Sequence, residues 1–189
     1  MPEPRQEPAW VLLDACSLLN LYATGHFERI LRESDFRFAV VDYVMRTEAL
    51  HVLKGGAGPD AGERVGVDLQ PAVDAGLLAV VEVTGTAEAE TFLDLAIHLD
   101  DGEARTLAIS SNRGWAVATD DRKARRIAAI AAPEVPLWGT LELVKRWAER
   151  TGLSSTEIRD ILLNIRERGN FVPGKQDTLL PWWHSVIGR

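Results

Sequence analysis

Apolar and polar residues follow one another along this chain in blocks that switch between the periods of strands and helices. Trp10-Val11-Leu12-Leu13 is an unbroken apolar run that stops at Asp14, and helical spacing resumes with Leu18, Leu19 and Leu21. Such a run predicts a strand buried on both faces, as in a parallel sheet, with a carboxylate delivered at its carboxyl end. Cys16 to Leu31 predicts one or two short helices broken near Gly25. Further strands are expected at Phe36 to Val41, Leu77 to Val83 and Trp115 to Ala118, with an edge strand at Val135 to Trp138, where Pro136 is tolerated.

Helices fill the intervals. A short one is expected from Leu69 to Gly76, and Glu88 to Leu99 carries Phe92, Leu95, Ala96 and Leu99 at helical spacing. The helix opened by Asp100 presents a narrow face of Ala104, Leu107, Ala108 and Ser111 and ends at Gly114. Arg122 to Ala132 and Thr140 to Arg150 follow, the latter with Leu141, Val144 and Ala148 inward and Gly152 closing it. Ser154-Ser155-Thr156-Glu157 is a capping box, and Ile158, Ile161, Leu162 and Ile165 then line one face before Gly169.

In the helix expected from Asp42, steps of about 100° bring Val41, Val44, Met45, Ala49 and Val52 onto one arc, and Glu48 falls inside it. A carboxylate on a core-facing stripe is costly unless paired, or unless it reaches water at the stripe's edge. Gly55 to Gly62 reads as an exposed loop, and the tail from Asn170 to Arg189 has no period; its Trp182-Trp183 pair is either a packing anchor or a partner contact. Strands alternating with helices predict an α/β fold with a mainly parallel sheet. Residues 1–152 are expected to form that domain, with residues 153–189 as a carboxyl-terminal helix and tail packed on it.

A chain of 189 residues can bury one sizeable core without a disulfide or metal staple. The single cysteine, Cys16, excludes an internal disulfide and suits a reducing compartment. The start, Met1 to Pro8, lacks a basic region followed by an apolar core, and no apolar run nears the ~20 residues that span a bilayer, so a cytoplasmic protein is expected. A net charge of −7 argues against coating nucleic acid by bulk electrostatics. It leaves open a nuclease whose clustered acids hold a cation, because the ion offsets their charge.

Four acids stand out: Asp14 and Asp121 after strands, Glu48 in the apolar arc, and Glu103 at a helix start. Each has an ordinary explanation too. Asp14 can cap the helix after it, Asp100-x-x-Glu103 resembles a capping box, and Thr119 or Asp120 can cap the helix that follows. Gathering several acids at one end of a sheet is unfavourable by repulsion, and a hard divalent cation, Mg2+ or Mn2+, is the usual remedy. Such an ion acidifies a bound water and steadies a phosphoryl group under attack, which suggests phosphodiester hydrolysis. Arg122, Lys123, Arg125 and Arg126 oppose the dipole of the helix they begin; they are either a solvated face or contacts for backbone phosphates.

Four segments carry a resemblance: L-L-D-A-C-S-L-L-N-L (Leu12 to Leu21), R-T-E-A-L (Arg46 to Leu50), G-E-A-R-T-L-A-I-S (Gly102 to Ser110) and W-A-V-A-T-D-D-R (Trp115 to Arg122). Their order resembles the PIN domain, the nuclease fold of many prokaryotic toxin ribonucleases. The resemblance covers about Val11 to Trp138, and the capped helix after Ser154 looks like the extra carboxyl-terminal helix of a longer PIN-like subgroup. It implies a three-layer α/β/α sandwich and a metal-dependent endoribonuclease, with the toxin of a toxin/antitoxin pair as its setting. Asp14, Glu48, Glu103 and Asp121 would be the catalytic metal ligands and Asp120 an outer acid of the metal site. The interval from Glu103 is a usual one for the family's last acid and favours Asp121 over Asp120. RNA is the implied substrate, and an antitoxin protein and a homodimer are the protein partners it allows.

The family's Ser or Thr two positions after the first acid is Cys16 here, so Ser17 or Thr119 would have to supply that hydroxyl. Two other readings compete. One is a PIN-like module that binds nucleic acid or protein without cleaving. The other is an aspartyl-phosphate enzyme built on Asp14, whose pattern wants a second Asp where Cys16 stands. His26, His51, His98 and His184 have no metal-ligand spacing, and there is no glycine-rich phosphate loop.

Overall fold

Val11, Leu12 and Leu13 are completely buried because their strand is paired on both edges and covered on both faces. The computed structural model describes residues 9–56 and 60–188; Met1 to Pro8, Ala57 to Pro59 within the expected loop, and Arg189 lie outside them. In chain order the described elements are β1 (Trp10–Leu13), α1 (Ala15–Ala23), α2 (Phe27–Glu33), β2 (Arg37–Val41), α3 (Asp42–Thr47), β3 (His51–Leu53), β4 (Arg64–Gly66), α4 (Gln70–Asp74) and β5 (Leu78–Val81). There follow α5 (Gly85–Ala96), α6 (Asp101–Arg113), β6 (Ala116–Ala118), α7 (Arg122–Ala131), β7 (Leu137–Trp138), α8 (Thr140–Thr151), α9 (Ser155–Arg168) and α10 (Leu180–Ile187).

The main sheet is parallel throughout, in the order β5-β2-β1-β6-β7, and helices on both faces complete a three-layer α/β/α sandwich. Alternation along β6 shows the two sides: Val117 packs with Leu95, Leu99, Leu107 and Ala124 from α5 to α7, while Ala116 and Ala118 join the larger core. That core takes Leu18 and Leu21 from α1, Trp147 from α8, and Ile161, Leu162 and Ile165 from α9. The expected capping box at Ser154 is formed, and its helix lies against α1.

One expectation is corrected, and one helix is present that no period announced. The helix from Asp42 ends at Thr47, so Ala49 and Val52 do not belong to it; Val52 is the buried centre of β3, paired antiparallel with Val65 of β4. Over a few residues an apolar arc at 100° and a strand's alternation predict the same burials, and here a hairpin closed by Lys54 and Glu63 wins. The tail, in which the sequence shows no period, contains α10. Eight residues are too few for a visible period, yet Trp183 is only 3 % exposed and meets Phe171 edge-on at 6.1 Å. Trp183 is therefore a packing anchor, with Trp182 half-buried beside it.

Because Leu162 is fully buried in the core that also holds β1, Leu162→Ala is expected to cost about 2–5 kcal/mol in urea unfolding. The loss should appear as one cooperative transition. A separate early transition with the main one unmoved would show α9 to be an independent appendage.

Candidate acidic site at the carboxyl edge of the sheet

β2 and β6 flank β1 on opposite sides, so the chain leaves β1 and β6 in diverging directions and opens a crevice at their carboxyl ends. Leu13 is paired with Ala118, which sets Asp14 beside Thr119. The Thr119 hydroxyl donates to Asp14 Oδ2 at 2.8 Å, and the other oxygen, Oδ1, accepts from the Ala15 N–H at 2.8 Å, the start of α1. Asp14 is thus both a helix cap and a buried acid, 4 % exposed. Burial pushes its carboxyl above the ordinary value, and hydrogen bonds from Cys16, Thr119 and Ala15 only partly oppose this.

Cys16 occupies the place expected of a hydroxyl. Its thiol donates to Asp14 Oδ2 at 3.2 Å and its sulfur accepts from the Asp120 N–H at 3.3 Å. Burial, then the charge of Asp14, pushes the thiol up to about 12, so it stays protonated as a donor and is no nucleophile. Of the two candidate hydroxyls, Thr119 reaches Asp14, whereas Ser17 points to Asp120 at 3.4 Å.

Glu48 is the residue that ends α3, and its carboxylate rests against the backbone of Gly102 in the first turn of α6. A Cβ at Gly102 would collide with it, so glycine is what allows the approach. Burial raises the Glu48 carboxyl, followed by the charges of Asp100 and Asp14, while the Gly102 backbone opposes the rise. At the next residue of α6, burial and the charges of Asp100, Asp14 and Asp121 push Glu103 up to about 7. Asp121 caps α7, its Oδ1 accepting from the Lys123 and Ala124 N–H groups at 2.7 and 2.8 Å. The charge of Asp14 thus acts on both Glu48 and Glu103, and that of Asp121 acts on Glu103.

Asp120 faces elsewhere. Its carboxylate takes the Thr140 N–H at 2.9 Å, the Thr140 hydroxyl and the Asn20 amide at 3.0 Å, tying α1 to the start of α8. Asp100 accepts the Glu103 N–H at 2.9 Å, as the cap expected of it, but its charge also acts on Asp14, Glu48 and Glu103. The signal was available in its spacing from Glu103, and the capping explanation concealed it. Among the basic residues after Asp121, Arg122, Lys123 and Arg126 are exposed, whereas Arg125 donates to the Thr119 carbonyl at 2.9 Å and helps fix the end of β6.

Asp14, Glu103, Thr106 and Thr119 line a cavity of about 10 Å³, room for about one water. The Thr106 hydroxyl is buried there with no hydrogen-bond partner. Among the described residues none of these acids has a salt bridge, and no three His, Cys, Asp or Glu side chains already form a metal-ligand group. Unneutralised carboxylates repel, which favours a spread arrangement.

The family described as DUF3368, PIN domain, matches residues 10–176. The chain belongs to the PIN-domain family. No curated protein and no solved structure matches it. PIN domains are generally nucleases acting on nucleic acid and typically use divalent metals. The donors of this PIN domain suit that class: hard carboxylate oxygens with no cationic partner among the described residues and, in the cavity that Asp14 and Glu103 help to line, the orphaned Thr106 hydroxyl. Among the described residues, no helix is long and apolar enough to cross a membrane.

A pH dependence follows from Glu103. Its carboxyl ionises near 4.5 in the unfolded chain and about 7 when folded, so over that window the folded state retains a proton that the unfolded state has lost. Stability from this group is present below pH 4.5 and is lost as pH rises through 7. In chelator, Glu103→Gln is expected to melt with the wild type at pH 4.5 and several degrees above it at pH 8; a pH-independent difference would contradict the assignment.

Proposed function

We propose that this PIN domain is a metal-dependent endoribonuclease that hydrolyses RNA phosphodiester bonds. The observation that carries the reading is the buried Asp14 at the end of β1, held by Thr119 at the end of β6, whose charge acts on Glu48 from the end of α3 and on Glu103 in α6, with Asp121 also acting on Glu103. Residues from four separate segments would gain nothing structurally from sharing one charged neighbourhood. Asp14, Glu48, Glu103 and Asp121 would hold Mg2+ or Mn2+, with Asp120 outside them as the acid that anchors α1 to α8. When bound, the ion supplies an acidified water and offsets charge on the phosphoryl group under attack.

The chain's own residues have distinct parts in this reading. The Thr119 hydroxyl and Cys16 thiol both donate to Asp14 Oδ2 and fix the orientation of its carboxylate. Glu103, held protonated to about 7 by burial and the neighbouring acids, would give up that proton on ligating the ion, which offsets the same repulsion. Exposed Arg122, Lys123 and Arg126 are placed to meet backbone phosphates without reading sequence. The choice of RNA, and of a toxin/antitoxin setting, rests on the resemblance of the four segments.

Purified protein is expected to cut single-stranded RNA with Mn2+ or Mg2+ and to stop in chelator. Asp14→Asn and Asp121→Asn should each lower the rate at least ~100-fold, beyond the usual loss for an outer-shell partner. Growth arrest on expression of the wild type, absent with Asp14→Asn, would support the toxin setting. Intact RNA across both ions would favour the non-catalytic binding module.

A further inference from the structure

At the carboxyl ends of β2 and β5 a cleft of about 290 Å³ is lined by Tyr43, Arg46, Thr47, Glu82, Val83 and Arg105. It shares α3 and α6 with the acids: Thr47 precedes Glu48, and Arg105 lies two residues past Glu103. The Arg105 guanidinium is held 4.4 Å from the Phe92 ring centre and 5.2 Å from that of Tyr43. Its Nε is buried with no acceptor, and among the described residues no carboxylate pairs with it.

The neighbouring cation is different. Arg46 is bonded to Asp42 at 2.7 Å, and Glu82 acts on it as well. The cleft's two acids thus serve Arg46 and leave Arg105 unanswered. The rings fix the plane of the guanidinium, and its terminal nitrogens, which are not buried and for which no described residue supplies an acceptor, are the donors an oxyanion in the cleft can reach. Phosphate oxygens are the acceptors that match such a fork. The volume lies at the small end of ligand pockets, which begin at roughly 300 Å³, and suits a single nucleotide.

We propose that this cleft receives a nucleotide of single-stranded RNA adjacent to the bond being cut, with Arg105 on its phosphate. The inference rests on the nuclease reading and names a subsite for its substrate. Two substitutions test it by fluorescence anisotropy with a single-stranded RNA oligonucleotide, in an Asp14→Asn background that leaves the strand intact. Arg105→Met, which keeps the stem between the rings, is expected to weaken binding about tenfold and to make the log–log salt dependence shallower by about 0.7, one phosphate contact's share. Glu82→Gln removes an exposed anion from the cleft and is expected to tighten binding. Its side chain bears no packing load, so it decides the matter if Arg105→Met fails to fold in a thermal melt.

Unchanged affinity and salt slope in both variants, while the parent with Asp14 restored still cuts RNA, would overturn the subsite and leave the nuclease intact. If that parent neither binds nor cuts RNA, both readings fall together. Loss of binding to an acidic peptide but not to RNA in Arg105→Met would also overturn it, in favour of a protein partner.

Discussion

Leu13 lies opposite Ala118 in the parallel pairing of β1 with β6, and the Asp14 N–H extends the ladder to the Ala118 carbonyl at 3.0 Å. That single register brings Asp14 and Thr119 side by side, although they are far apart in sequence. A slip of one residue would turn each inward side chain to the opposite face, taking Asp14 from its hydroxyl partner and Val117 from the α5 to α7 core. The pairing is held by burial: Val11, Leu12 and Leu13 have no exposure, and each fully buried side chain of this size contributes roughly 1.5–3 kcal/mol. Further down, Trp10 and Trp115 stack at 4.9 Å and brace the other end of the same two strands.

Once the register is set, cap and acid cease to be competing explanations. A carboxylate has two oxygens. Asp14 gives Oδ1 to the start of α1 and Oδ2 to the crevice partners, while Asp121 gives Oδ1 to two N–H groups of α7. Each cap fixes the rotamer of an acid that repulsion would otherwise turn away, and the helix N-terminus offsets part of its charge. What remains uncompensated shows in Glu103, which keeps its proton to about 7 because burial and three neighbouring acids act on it together. Cys16 fits the same economy, since a neutral thiol donates to Asp14 without adding a charge.

The parallel strands and long helices were legible in the sequence because each is a run with one period. β1, β2, β5, β6 and α6 to α9 follow from apolar runs, caps and glycine stops such as Gly114, whose φ of 66° ends α6. The β3–β4 hairpin and α10 were not, because their burial depends on what they pack against: Val52 is buried by its place beside α1, and Trp183 by Phe171. The acids were legible as an ordered set, through the resemblance more than through chemistry. Asp100 was hidden by a correct structural explanation, and the direction of Asp120 depends on Thr140, a contact no local pattern announces. Arg105 offered no signal at all, since its lack of a partner exists only in three dimensions.

The same limit applies to charge. A net of −7 describes the whole chain and says nothing about its carboxyl edge, where signs alternate. The acids sit around β1; α7, with exposed Arg122, Lys123 and Arg126, follows β6 on one side, and the cleft of Arg105 lies over β2 and β5 on the other. A polyanion crossing that edge would meet cation, acid and cation in turn. Under the proposed reading the flanks supply attraction and the centre supplies only chemistry, because unneutralised carboxylates repel a phosphate until an ion is present. Binding and cleavage then separate physically: flank contacts respond to salt, and the centre responds to divalent ions. An acidic protein can hold a nucleic acid in this way by ordering a few cations around its acids.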